Sequence, residues 1–434
     1  MTGRVAALYA AFQSGERWPQ SRRLAGVLGR YALSALGSVS VAAAHFAAAL
    51  ILLHALSPAA FGLLSFVLVI VPFSLSASGA LVSAPLAMAL NRAGGMIGGE
   101  LATYMKANLV FSAIAGVCVF GLLMLSGAGF EISLPLGAYG AAMCVRWFAR
   151  AYAYCTHRPV RAVASDLVYS VLLIAALSGL TVFGLLSERA AALALLASAL
   201  ASFASFGLEY AGRQVRALFA GSLAGYGTIW RELTRWSLLG VVTTELTMNA
   251  HAYLVTFISG PKAFALLAVG SLFMRPAVLA MTALPDVERP IMARDIANGK
   301  IASALRSVKE FRTAAAAIWL GTIVLAAIVW IWFPKLLLRA DYNAGEVLMV
   351  IALSAAIMFI RGWRTAESVL LQAAGEFRSL AGPSVRASIV SLSATAILLL
   401  LFGPVASLCG ILAGDVVMAA NLKSVMRKWT RQHG

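Results

Sequence analysis

The chain has 434 residues, 61% of them apolar and only 12% charged, where soluble globular proteins are roughly half apolar and a quarter charged. That composition excludes a soluble globular domain. Its 34 Lys and Arg against 17 Asp and Glu give a net charge of +17; beside so high an apolar fraction this excess is what cytoplasmic membrane loops carry, and no nucleic-acid partner is expected.

Taken in chain order, the first thirty residues hold Arg4, Arg17, Arg22, Arg23 and Arg30 around one apolar run, Val5 to Phe12. That run is too short for a signal-peptide core, and no cleavage-like site follows it. Residues 1–30 are therefore expected to be a retained, basic cytoplasmic leader, with Val5 to Phe12 either lying on the membrane surface or disordered. A spanning helix needs about 20 mostly apolar residues. Twelve stretches satisfy that ruler: 31–56, 61–90, 105–127, 134–156, 163–187, 190–211, 236–258, 262–285, 313–333, 345–372, 383–402 and 405–422. The expected class is an all-α, polytopic membrane protein. Cys118, Cys144, Cys155 and Cys409 stand singly in or beside these stretches, without metal-site or disulfide spacing, and read as packing residues.

An even count puts both termini on one side, and short positively charged loops stay in the cytoplasm. The loops of the opposite side hold only Arg189, Lys262, Lys335 and Arg339. The terminal side takes the leader, Arg158 and Arg161, the connector with Arg213, Arg216, Arg231 and Arg235, the run from Arg289 to Arg312, and a tail with Lys423, Arg427, Lys428 and Arg431. Both termini are thus expected in the cytoplasm.

Shifting the sequence by about 203 positions sets Ser34, Leu36 and Gly37 on Ser237, Leu239 and Gly240, and Pro58, Ala60, Phe61, Leu63 and Leu64 on Pro261, Ala263, Phe264, Leu266 and Leu267. At a shift of 215, Met143 and Arg146 fall on Met358 and Arg361. The expected organisation is two parallel six-helix lobes, 31–212 and 236–422, joined by a cytoplasmic connector at 213–235 and followed by a basic cytoplasmic tail at 423–434. Pro72 falls one residue from Pro276 in the same comparison. Each removes a backbone hydrogen bond inside a span; the two are either hinges of helices that move or plain structural kinks.

Polar residues at membrane depth are costly and face a partner, a cavity or a pathway. The fourth span sets Arg146 and Arg150 one turn apart; the tenth does the same with Arg361 and Arg364 and continues through Thr365, Ser368 and Gln372. Arg275 adds a third helix. At 1.5 Å per residue, Arg146, Arg275 and Arg361 lie on the order of 18–24 Å from the far surface. Five arginines with few acids beside them make an electropositive central cavity, and guanidinium forks suit phosphate oxygens, so a phosphate or diphosphate head group is the natural ligand. Alternatively, Arg150 and Arg364 reach the cytoplasmic interface and Glu367 pairs with Arg364.

The seventh span carries Glu245 and Asn249 on one face and Thr244, Thr247 and His251 on another, and Asp415 lies at comparable depth in the twelfth. Such acids either hold a proton or cation, coupling the cycle to a gradient, or pair with the arginines. His45 either lines the cavity or packs, and Asp166 reads as a helix-end partner of Arg161 or Arg158. No phosphate loop, HExxH or CxxC occurs and no large extramembrane domain is present, so neither catalytic residues nor a bound metal is expected. A channel fits poorly, since nothing resembles a selectivity-filter ring.

Three stretches resemble a known family: Leu56-Ser57-Pro58-Ala59-Ala60-Phe61-Gly62-Leu63-Leu64, the duplicated Pro261-Lys262-Ala263-Phe264, and Leu370-Leu371-Gln372-Ala373-Ala374-Gly375-Glu376-Phe377-Arg378. They are similar to the polysaccharide (Wzx-type, O-antigen) flippases of the multidrug/oligosaccharidyl-lipid/polysaccharide (MOP) exporter superfamily, over roughly 28–425. The resemblance implies two six-helix lobes around a cationic cavity that carry undecaprenyl-diphosphate-linked oligosaccharide to the periplasmic leaflet. It implies that Arg146, Arg275 and Arg361 meet the diphosphate, that the glycan lies along Ser368 and Gln372, and that Glu245 is the coupling acid; by depth and helix face alone, Arg150 and Arg364 join the diphosphate set, His45 the glycan cavity, and Asn249, His251 and Asp415 the coupling set. No cofactor is implied, only a proton or Na+ gradient; the partners would be the lipid-linked substrate, membrane lipids and polysaccharide polymerase or export machinery, the protein itself being a monomer. Arg361 and Arg364 stand where cation-coupled branches have acids, which puts sodium coupling in doubt. The competing reading is a multidrug antiporter, which would want an acidic or aromatic cavity instead.

Overall fold

In a computed structural model the described residues are 20–90, 99–156, 158–336 and 341–433. Val5 to Phe12 lies outside them. All twelve expected spans are helical. In chain order they are α1 (Gln20–Ala55), α2 (Pro58–Ser78), α3 (Glu100–Leu125), α4 (Phe130–Cys155), α5 (Pro159–Val182) and α6 (Glu188–Ser202). A short helix, α7 (Leu208–Ala220), opens the connector. The second set is α8 (Arg235–Ile258), α9 (Pro261–Leu272), α10 (Arg275–Ala297), α11 (Ile301–Trp332), α12 (Ala344–Ala373), α13 (Phe377–Phe402) and α14 (Ser407–His433). No strand occurs among the described residues. Nine spans there are long and apolar enough to cross a membrane by themselves; α4, α8 and the broken pair α9–α10, which carry most of the deep polar residues, are the others.

Local signals explain the boundaries. On the side remote from the termini, Ser57 accepts from the Ala60 amide at 3.3 Å with Pro58 just inside the helix, Ser187 caps α6 through the Ala190 amide at 3.2 Å, and Asn343 caps α12 through the Gly345 amide at 2.8 Å. Three expectations are corrected. Helix α1 begins at Gln20, inside the stretch read as leader, and α14 continues through the stretch read as tail to His433. The eighth span is two helices rather than one: the chain leaves the helix at Phe273 and Met274, and Pro276 stands in the first turn of α10, where its missing N–H costs nothing. Of Pro72 and Pro276, it is Pro72 that lies inside its helix, which then passes through a π-helical turn at Gly79–Ser83 before Ala84–Leu90.

The apolar cores fix how the lobes meet. One core runs through both lobes on the far side, taking in Leu53, Phe61, Phe66 and Tyr139 from the first and Val255, Phe264, Val269 and Val350 from the second. On the terminal side there are two separate cores, one around Leu86, Phe148 and Tyr210, the other around Met292, Phe311 and Leu422. The lobes are therefore joined at the far side and parted toward the termini. At the join, Gly62 of α2 faces Pro261 at the start of α9, and a Cβ on Gly62 would collide with the Pro261 carbonyl. The Phe66 ring sits edge-on to Tyr253, Phe257 and Phe264 at 5.6, 5.7 and 6.1 Å.

Candidate functional site: a cationic cavity between the lobes

Beneath the joined core, α1, α2, α8, α9, α10, α12 and α14 line a cavity between the lobes. Most of its wall is apolar, with Phe61, Phe264, Met274 and Met358 prominent. Among the described residues its charged lining groups are Arg275 and Arg361, and its neutral polar ones include Ser65, Asn249, His251, Ser271 and Ser354. None of the described carboxylates lines it.

Arg275 owes its place to the break in the eighth span. As the first residue of α10 it projects where the helix amides are uncapped, for Met274 offers no side-chain acceptor. Its guanidinium makes no hydrogen bond or ion pair with the described residues. Arg361 lies opposite, 14% exposed in its side chain, and donates from Nη2 to Asp415 Oδ2 at 2.9 Å while its Nε has no partner. Arg364, one turn on, faces away from the cavity and gives Asp415 Oδ1 two contacts, at 2.8 Å from Nε and 2.6 Å from Nη2. Asp415 is fully buried and balances one of these two cations.

The first lobe repeats this arrangement out of reach of the cavity. Arg146, 2% exposed, donates to Ser165 Oγ at 3.1 Å and to Asp166 Oδ1 at 2.5 Å, and lies 4.8 Å over the Tyr169 ring. Arg150 reaches Asp166 Oδ2 at 2.9 Å and lies 4.7 Å over Trp147. Helix α1 passes this aspartate at Gly37, where a Cβ would press on the carboxylate. The expectation of arginines with few acids beside them is thus corrected: two buried aspartates serve four of the five. Asp166 is no helix-end partner, since Arg161 donates to the Phe206 carbonyl at 2.8 Å and Arg158 stands 4.0 Å from Glu209. Nor does Glu367 pair with Arg364; it accepts from Arg312 at 2.5 Å, whose guanidinium lies 4.5 Å over Trp363.

Glu245 accepts from the Tyr253 hydroxyl at 2.7 Å and from Asn249 Nδ2 at 3.1 Å, and no cation of the described residues pairs with it. His251 lines the cavity with Nδ1 unpartnered and its ring 6.4 Å from Phe264. His45 is bonded through Nε2 to the Tyr169 hydroxyl at 2.8 Å, which meets the Tyr139 hydroxyl at 2.9 Å. Ser368 and Gln372 bond to each other at 3.3 Å, nearer the terminal side and off the cavity wall. Of the residues singled out from sequence, the structure brings Arg275, Arg361, Asn249 and His251 to one cavity. Ser271, Ser354 and Met358 also line it, and only the helical stripe Ser354–Met358–Arg361 could have announced two of them.

Neither a protein-family profile nor a curated protein sequence matches the chain. Solved structures do. An inward-facing multidrug resistance MATE family transporter of the MOP superfamily aligns with a TM-score of 0.67 at 15% identity, over 90% of this chain and 94% of that one. The lipid II flippase MurJ in an inward closed conformation gives 0.68 at 11%, over 91% and 87%. The outward-facing form of a MATE transporter gives 0.58 at 15%, over 93% and 95%. The chain thus has the fold of MOP superfamily transporters.

Proposed function

From that transporter fold, parted toward its termini, we propose that the protein is a flippase for undecaprenyl-diphosphate-linked oligosaccharide in the bacterial inner membrane, moving it from the cytoplasmic to the periplasmic leaflet by alternating access for polysaccharide or O-antigen synthesis. The observation that carries this reading is the sign of the cavity. Its charged groups are cations, Arg275 without a counter-ion and Arg361 with Nε unspent, and α10 adds the positive end of a broken spanning helix. An anionic head group is what such a wall attracts, and the apolar remainder suits a lipid. In the first lobe the two arginines on Asp166 leave one further positive charge, which adds to the same field. With the positive-inside loops, the open side is the cytoplasmic one, where the lipid-linked substrate is loaded. Glu245 is the proposed coupling acid: a single carboxylate held by two neutral donors can exchange a proton without breaking an ion pair.

The test is reconstitution in liposomes with a fluorescent polyprenyl-diphosphate-linked oligosaccharide, comparing wild type with Arg275→Ala and Arg361→Ala. Losing a charge-assisted contact worth about 1.5–3 kcal/mol should slow flipping by about tenfold or more, while Arg364 still pairs with Asp415 in the second variant. Unchanged flipping in both variants refutes the cavity assignment. Gradient-driven efflux of cationic amphiphiles with no lipid movement favours the antiporter reading.

A further inference from the structure

A second hollow lies on the terminal side of the first lobe, away from the central cavity. The end of α4, the start of α5 and the start of α7 enclose it, and its ionic lining groups are Arg158, Arg161, Arg213 and Glu209, three cations against one anion, or 3 − 1 = +2. Glu209 is already engaged, by Arg213 Nη2 at 2.6 Å and more loosely by Arg158 at 4.0 Å. Arg213 gives its other nitrogen to the Tyr152 hydroxyl at 3.0 Å. Arg161 uses Nη1 on the Phe206 carbonyl, leaving Nε and Nη2 without partners among the described residues. Arg158 is half exposed with that one long contact. The hollow thus holds a surplus of guanidinium donors aimed at one space.

Helix α7 beside it has three faces. Tyr210, Gln214 and Ala217 are buried against the lobe, and Glu209, Arg213 and Arg216 form a polar face. Leu208, Val215 and Phe219, at the i, i+7, i+11 spacing of a single stripe, stay 92%, 59% and 81% exposed. An apolar stripe left bare where the spanning helices end is the mark of a helix lying in the membrane interface. A cationic hollow next to an apolar stripe complements one class of molecule, with a phosphate at one end and hydrocarbon at the other.

We propose that this hollow binds the head-group phosphate of an anionic membrane phospholipid, on Arg158 and Arg161, with the acyl chains along Leu208, Val215 and Phe219. The site is separate from the transport cavity and does not depend on which substrate that cavity carries. Phosphatidylglycerol and phosphatidylcholine are the probes, titrated onto the full-length protein in neutral detergent and counted by native mass spectrometry, with inorganic phosphate as a competitor. Wild type should take one phosphatidylglycerol in preference to phosphatidylcholine. Arg158→Gln/Arg161→Gln should weaken phosphatidylglycerol by about tenfold, the equivalent of about 1.4 kcal/mol, and bring the two lipids level; Phe219→Gln should weaken both lipids alike. Arg158→Gln alone, an exposed change, guards against misfolding of the double variant and should show a smaller loss in the same direction. Arg189→Gln, an exposed arginine on the far side, should change nothing. The proposal is overturned if the double variant binds phosphatidylglycerol as wild type does, if Arg189→Gln weakens it equally, or if inorganic phosphate displaces the lipid, which would make the hollow a free-anion site.

Discussion

Replacing Asp166 by Asn keeps the shape of the side chain and removes the one negative charge that two buried arginines share. Each guanidinium–carboxylate attraction is worth about 4 kcal/mol at 4 Å and an effective dielectric near 20, and both are lost while Arg146, only 2% exposed, cannot turn to water. Removing one partner of a buried pair costs about 3–5 kcal/mol; with two cations stranded side by side, Asp166→Asn belongs at the upper end. If the first lobe unfolds as a unit, that is a fall in Tm on the order of 10 °C. Arg150→Gln is different. It removes one of two mutually repelling cations and leaves a complete Arg146–Asp166 pair, so it should cost only about 1 kcal/mol. Adding Arg150→Gln to Asp166→Asn should therefore recover part of the lost stability. Thermal melting of the purified protein in detergent, followed by tryptophan fluorescence, measures all three. Asp166→Asn melting with the wild type, or a double variant less stable than Asp166→Asn alone, would show that the shared charge does not hold the two arginines.

Two further outcomes follow from other parts of the fold. Gly62→Val should wedge α2 from Pro261 and shift the protein toward opening at the far side, raising the labelling of a cysteine placed at Ser65 by a membrane-impermeant maleimide applied from that side; unchanged labelling would show that the seam yields without opening. Glu245→Gln should leave downhill flipping intact and abolish its acceleration by a proton gradient, measured in the same liposomes with and without an imposed pH difference.

The helices were legible because apolar runs of spanning length, bounded at points such as Ser57-Pro58 and Gly260-Pro261, leave few alternatives; even α4 and α8, which carry Arg146 and Glu245, kept enough apolar residues to stand out. The break at Phe273 and Met274 was not, since a proline inside an apolar run signals equally a kink and a helix start, and only packing decides. Helix α7 escaped a ruler set for twenty apolar residues, although Leu208, Val215 and Phe219 carry the period of a half-buried helix. Within the site, the depth of the arginines could be counted along each helix, but their partners could not. Helical spacing offered Glu367 to Arg364 because they are three residues apart; Asp415, from α14, is the residue that packing delivers. Asp166 was hidden in the same way, its closeness to Arg158 and Arg161 in sequence concealing its closeness to Arg146 and Arg150 in space.

Every buried ion pair among the described residues joins helices of the same lobe: α4 with α5 in one, α12 with α14 in the other. Among the described residues, what crosses the far-side seam includes the fit of Gly62 on Pro261, the rings around Phe66, and a bond between His54 Nε2 and the Lys335 carbonyl at 3.0 Å. Swinging the lobes about that seam would separate hydrocarbon surfaces, which lipid or substrate can cover again, without stripping any buried charge of its counter-charge. Each lobe keeps its buried ion pairs within itself, so the electrical cost of the motion is that of moving one fixed distribution past another. The barrier to exchange between open states would then be set by packing, and the residues to alter in tuning its rate are the small and aromatic ones at the seam.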